Sequence, residues 1–118
     1  MIDHLSIGVS DLAKSKEFYQ EALKPLGYQV KIEMPHGVCF SAESGGDLWI
    51  VKGDVSPIHL AFGGSRQQVE EFYAAALKAG GVDNGGPGLR PQYHENYYAA
   101  FIFDPDGYNL EVVSHTGS

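Results

Sequence analysis

Several residue types are scarce in this 118-residue chain: it has one cysteine, Cys39, one tryptophan, Trp49, and two methionines. A single cysteine excludes an internal disulfide and suits a reducing, cytoplasmic setting. Val38 and Phe40 flank it, which predicts a strand interior and an unreactive buried thiol. Positive charge is also thin. Eight Lys and Arg stand against fifteen Asp and Glu, a formal net charge of −7, and the cations form no cluster. That balance argues against a nucleic-acid backbone or an anionic membrane surface as partner, and leaves small molecules or other proteins. No apolar run is long enough for a transmembrane helix, and the amino terminus shows no basic stretch leading into an apolar one, so no secretory leader is expected.

What the chain does contain is a repeat. Residues 4–24 read HLSIGVSDLAKSKEFYQEALK and residues 59–78 read HLAFGGSRQQVEEFYAAALK. Each copy opens with His-Leu on an alternating stretch and continues into a segment with helical spacing. Two copies of one supersecondary unit are the expected consequence. Leu5, Ile7 and Val9 alternate with His4, Ser6 and Gly8, the period of a strand. Ser10-Asp11 supplies a helix start, and Pro25 and Gly27 stop that helix. Three strands are predicted near 28–34, 38–42 and 47–52, giving β-α-β-β-β. The second copy has a strand over 58–63 and a capping box, Ser65 with Gln68, ahead of its helix. Residues 82–92 are too rich in Gly and Pro for a regular strand. Strands over 97–103 and 108–114 are joined by Asp104-Pro105-Asp106-Gly107.

The expected fold is α+β: one domain over 1–118, with module 1 at 1–53 and module 2 at 58–115. The two βαβββ modules would form a curved mixed sheet, helices outside and a cleft inside. Two chains could also exchange modules.

The alternation assigns faces. If Leu5, Ile7 and Val9 cover a helix, His4 points to the opposite side; by the same rule so do His59 and Glu111. Two imidazoles and one carboxylate are a metal-ligand set suited to Fe, Mn, Ni, Co or Zn with positions left open. Aligning Gly46–Val51 with Gly107–Val112 sets Ile50 opposite Glu111, and isoleucine cannot ligate. Trp49 and Ile50 are expected to line the cleft beside the substrate. The stretch from Arg90 to Tyr98 is dense in tyrosine. There Tyr97 could stack on a ligand, Arg90 could hold an anionic group, and His94 or Tyr93 could transfer a proton. His36 and His115, at a turn and near the terminus, are expected to be solvated. No phosphate loop is expected at Gly85-Gly86-Pro87-Gly88, since no helix with Lys or Ser/Thr follows it.

DHLSIGVSDLAKSKEFY at the start, IHLAF in the second copy and DPDGYNLEVV at the end together resemble the vicinal oxygen chelate superfamily, which includes glyoxalase I, fosfomycin-resistance thiol transferases, extradiol dioxygenases and bleomycin-resistance proteins. The resemblance spans nearly the whole chain. It implies a paired βαβββ fold, a homodimer, and metal ligands on His4, His59 and Glu111. It also implies a small-molecule substrate whose adjacent oxygens the metal chelates. Glyoxalase I resembles a four-ligand design with a glutamate where Ile50 was aligned, so the three-ligand set points toward the thiol-transferase and dioxygenase branches, although the latter are longer chains. Isomerisation, thiol addition and ring cleavage all stay open. So does a metal-free binding protein, of the bleomycin-resistance kind, sequestering an aromatic or cationic compound.

Overall fold

Alternation and helical spacing translate directly into elements. In the computed structural model, which describes residues 2–118, module 1 contributes β1 (His4–Val9), α1 (Leu12–Ala22), β2 (Gln29–Met34), β3 (Gly37–Ser41) and β4 (Asp47–Lys52). Module 2 contributes β5 (His59–Gly63), α2 (Arg66–Lys78), β6 (Val82–Asp83), β7 (Gly88–Leu89), β8 (Tyr98–Phe103) and β9 (Asn109–Ser114). Asp11 caps α1 by accepting the Lys14 amide, and Ser65 and Gln68 form the reciprocal capping box of α2. After α1 a short 3₁₀ turn, Lys24–Leu26, closes on Gly27 at a positive φ. The Gly/Pro segment yields only two two-residue strands, β6 and β7.

The strands form two mixed sheets, β1-β4-β3-β2 and β5-β9-β8-β6, with β7 also on β8. In each, the strand carrying the repeated histidine lies at an edge and runs parallel to the last strand of its module. The helices cover one face of each sheet and pack on one another. Phe18 and Tyr19 of α1, Val69 and Phe72 of α2, and Phe40, Ile50, Ile102, Leu110 and Val112 of the strands join in a single buried cluster. Each such side chain contributes roughly 1.5–3 kcal/mol by leaving water. No helix of the described residues is long and apolar enough to cross a membrane.

The β8–β9 turn also ties the modules together. Asp104 is buried and accepts hydrogen bonds from the Tyr19 hydroxyl and from the amides of Asp106 and Tyr108. The Tyr108 hydroxyl reaches the Gly8 carbonyl at 2.6 Å, and Asp106 accepts the Ser10 amide at 3.1 Å. Gly8 must be glycine because a Cβ there would stand 1.9 Å from the Asp54 carbonyl oxygen of the linker. The turn thus links the second module to α1 and to the end of β1.

Candidate functional site

The open face of the second sheet brings together His59, Glu111 and Tyr97. Leu110 and Val112 face the helices, so Glu111 and Val113 face away, and Phe101, paired with Glu111 across the β8–β9 ladder, lies beside them. His59 on β5 projects onto this face from the neighbouring strand. Its Nδ1 is 3.0 Å from the Asn109 carbonyl oxygen, which can only accept, so Nδ1 carries the proton. The Nε2 lone pair is thereby aimed at Glu111 Oε1, 2.8 Å away. Two acceptor atoms at that distance need a cation between them, either a proton or a metal ion. Two ligand atoms at right angles on a metal with bonds of ~2.1 Å would lie ~3 Å apart. The residues fit a divalent ion, and the carbonyl-fixed imidazole is the usual way a ligating histidine is oriented.

Glu111 is only 2% exposed. Its second oxygen, Oε2, accepts a hydrogen bond from the Tyr97 hydroxyl. Burial, and then this bond, push the Tyr97 phenol up to about 12, against a smaller downward pull from Arg90. The Tyr97 ring is enclosed by Tyr93, His94 and His115, at centroid distances of 4.8, 5.3 and 5.3 Å.

Arg90 lies over the Phe101 ring at 5.3 Å and donates to the carbonyls of Gly86 and Gly88 at 2.9 and 2.8 Å. Phe101 in turn stacks on His59. The glycine run makes room for the guanidinium: a Cβ on Gly85 would meet Arg90 Nη2 at 3.2 Å and Phe101 at 3.3 Å. Two of the five donors of Arg90 are thus used.

Other expected site residues lie elsewhere. His4 is exposed on the first sheet and pairs with Asp3 at 2.8 Å. Among the described residues no three His, Cys, Asp or Glu side chains gather in a metal-holding group, so the three expected ligands do not meet within one chain. Ile50 requires a correction. The parallel ladders pair His4 with Asp47 and His59 with Asn109, so the counterpart of Glu111 is Trp49, while Ile50 is buried in the core. Aligning the glycines slipped the register by one because the second turn carries an extra residue, Tyr108, committed to its bond with Gly8. By the same registers the counterpart of Phe101 is Cys39, which lies beside Trp49 on the open face of the first sheet and is buried.

His94 is hydrogen-bonded at both ring nitrogens. Its Nδ1 accepts the Asn96 amide at 3.2 Å, and its Nε2 lies 2.8 Å from His115 Nδ1. With the proton on Nε2 and given to His115, neither nitrogen is free for a substrate. His115 is exposed, as expected, and lies against His94 and Tyr97. It lies just past the end of β9, where strand alternation no longer applies, so only the folded chain places it beside His94 and Tyr97.

A sequence profile of the glyoxalase/bleomycin resistance protein/dioxygenase superfamily matches residues 1–112. The chain belongs to that superfamily. It is 30% identical over 121 residues to a metallothiol transferase, FosB, of Shouchella clausii (strain KSM-K16), covering 99% of this chain and 80% of that protein. A crystal structure of a glyoxalase/bleomycin resistance protein from Albidiferax ferrireducens T118 superposes with a TM-score of 0.85 at 27% identity, over 98% of both chains. Lactoylglutathione lyase from Agrobacterium tumefaciens, at 17% identity and a TM-score of 0.75 over 97% of this chain and 92% of its own, shares the fold. The α+β architecture with mixed sheets is that of the superfamily, and its last matched residue, Val112, directly follows Glu111.

Proposed function

We propose that this protein is a metal-dependent enzyme acting on a small molecule, working as a homodimer in a reducing cytoplasm. His59 and Glu111 of one copy and His4 of a second would hold a divalent ion, Fe, Mn, Ni, Co or Zn. The observation that carries the reading is the pair of opposed acceptors, His59 Nε2 and Glu111 Oε1, with the imidazole fixed by the Asn109 carbonyl. A second copy is favoured by the sheets, since β1 with His4 and β5 with His59 are both edge strands with room for a partner beside them. Ile2 and Ile58, just before these strands, are exposed apolar residues that a partner would cover.

When bound, such an ion polarises adjacent oxygens of a substrate and stabilises negative charge developing on them. The chain's own residues supply the rest. Arg90, braced on Phe101, would take an anionic group of the substrate. Trp49, half-buried on the open face of the first sheet, would wall the site from the opposing copy. Tyr93, exposed at the lip, is the remaining proton-transfer candidate now that both His94 nitrogens are engaged. Among the reactions open to this architecture, transfer of a thiol is favoured by the 30% identity to a metallothiol transferase.

The direct test is metal analysis of purified, dialysed protein. The expected result is close to one divalent ion per chain, lost in Glu111→Ala. Metal-free wild-type protein that still binds small aromatic compounds would instead support the second reading, a sequestering protein, which the Tyr93–Tyr97 lip favours.

A further inference from the structure

We propose that Tyr97 is the positioning residue of Glu111, and that His94 and His115 act on the site only by holding the Tyr97 ring. This rests on the metal reading above and gives the tyrosine-rich lip a different job from binding substrate.

The geometry is specific. Glu111 has two oxygens and almost no solvent access. Oε1 faces His59 Nε2 at 2.8 Å, and Oε2 is taken by the Tyr97 hydroxyl. With Oε2 held, the carboxylate cannot swing both oxygens toward a shared ion, so it offers Oε1 alone. Without the hydroxyl, Oε2 becomes a buried acceptor with no donor, and the side chain must rotate to find one. Groups that bond to the back of a metal ligand in this way generally set its affinity.

The hydroxyl is placed by its ring, and the ring is boxed on three sides by Tyr93, His94 and His115. The box is itself tied down: the Asn96 amide holds His94, and His94 holds His115 in a stack with rings 5.1 Å apart. No nitrogen of His94 is left over for proton transfer. The order of support therefore runs from Asn96 through His94 and His115 to Tyr97, and from Tyr97 to Glu111.

The experiment is Mn(II) titration of the full-length wild type, Tyr97→Phe, His94→Ala and the double variant, with folding checked by circular dichroism. Tyr97→Phe should weaken Mn(II) binding by about 10–100-fold. His94→Ala should produce a smaller loss in the same direction, and no further loss when added to Tyr97→Phe. Unchanged affinity in Tyr97→Phe, with wild type binding normally, overturns this inference and leaves the metal reading intact. A His94→Ala effect that persists in the Tyr97→Phe background overturns the claim that His94 acts through Tyr97. A wild type that binds no Mn(II) removes both. Should Tyr97→Phe fail to fold, His94→Ala and His115→Ala carry the test: both must weaken Mn(II), and unchanged affinity in either defeats the proposal.

Discussion

Trp49 and Glu111 occupy the same place in the two modules. Each sits on the last strand, two residues beyond the partner of the repeated histidine, and points to the open face. One module carries an acid there and the other an indole. Trp49→Glu should therefore add a fourth ligand to an ion shared between two copies. Divalent metal affinity should rise roughly tenfold, since an added carboxylate raises the charge of the ligand set. Loss of the half-buried indole should lower stability by about 1–3 kcal/mol. Calorimetric titration with Mn(II) and urea unfolding measure the two effects, and unchanged metal affinity would show that the open faces do not meet.

Separation of His4 from His59 and Glu111 makes a second expectation sharp. His4→Ala and Glu111→Ala should each lose metal as pure proteins. Mixed and refolded together, random pairing gives half heterodimers, and each of these rebuilds one intact site, so about a quarter of wild-type metal content should return. A site built within one chain recovers nothing on mixing.

Much of this arrangement was readable in the sequence, for a physical reason. Strand parity and helix caps are local, and His4, His59 and Glu111 lie on the open faces because Leu5, Leu60 and Leu110 cannot. Register between strands is not local. The one-residue slip that put Ile50 in place of Trp49 depended on how many residues a turn spends before its strand begins. The partners of His94, the Asn96 amide and His115, were not legible, because they are set by a loop whose shape no periodicity describes. His115 is solvated as its place near the terminus implies, and its contact with Tyr97 is set by the chain beyond β9, where strand parity says nothing.

The Asp104 latch makes a prediction about pH. Burial raises the Asp104 carboxyl above its ordinary range, outweighing its hydrogen bonds from Tyr19, Tyr108 and Asp106. A raised folded pKa means the native state holds that proton more tightly than the unfolded chain does. Its stabilising contribution is fully present below the ordinary carboxylate pKa and is lost as pH rises through the raised folded value. Asp104→Asn cannot titrate. Lowering the pH from neutral toward the carboxylate range should therefore stabilise wild type relative to Asp104→Asn, as read from urea midpoints at each pH. Asp104→Ala, which leaves the Tyr19 hydroxyl and two amides without their acceptor, should cost about 3 kcal/mol or more at neutral pH. If both variants track wild type at every pH, the turn does not join the modules.

Gly85 tests the guanidinium cradle. Its φ of +134 disfavours any side chain, and an alanine Cβ would press on both Arg90 Nη2 and Phe101. The backbone strain should cost about 1–3 kcal/mol. The larger consequence is for charge placement: Arg90 would have to give up its carbonyl bonds to Gly86 and Gly88 or lift from the Phe101 ring. Gly85→Ala should therefore weaken binding of inorganic phosphate, used as a simple anion probe, while metal content stays near wild type because His59 and Glu111 keep their own supports. Arg90→Lys should weaken phosphate binding as well, since a point ammonium cannot make the forked carbonyl contacts and the flat ring contact at once. Equal phosphate affinity in all three proteins would mean that the cradle braces the loop, and that the anionic group of the substrate is met by some other residue.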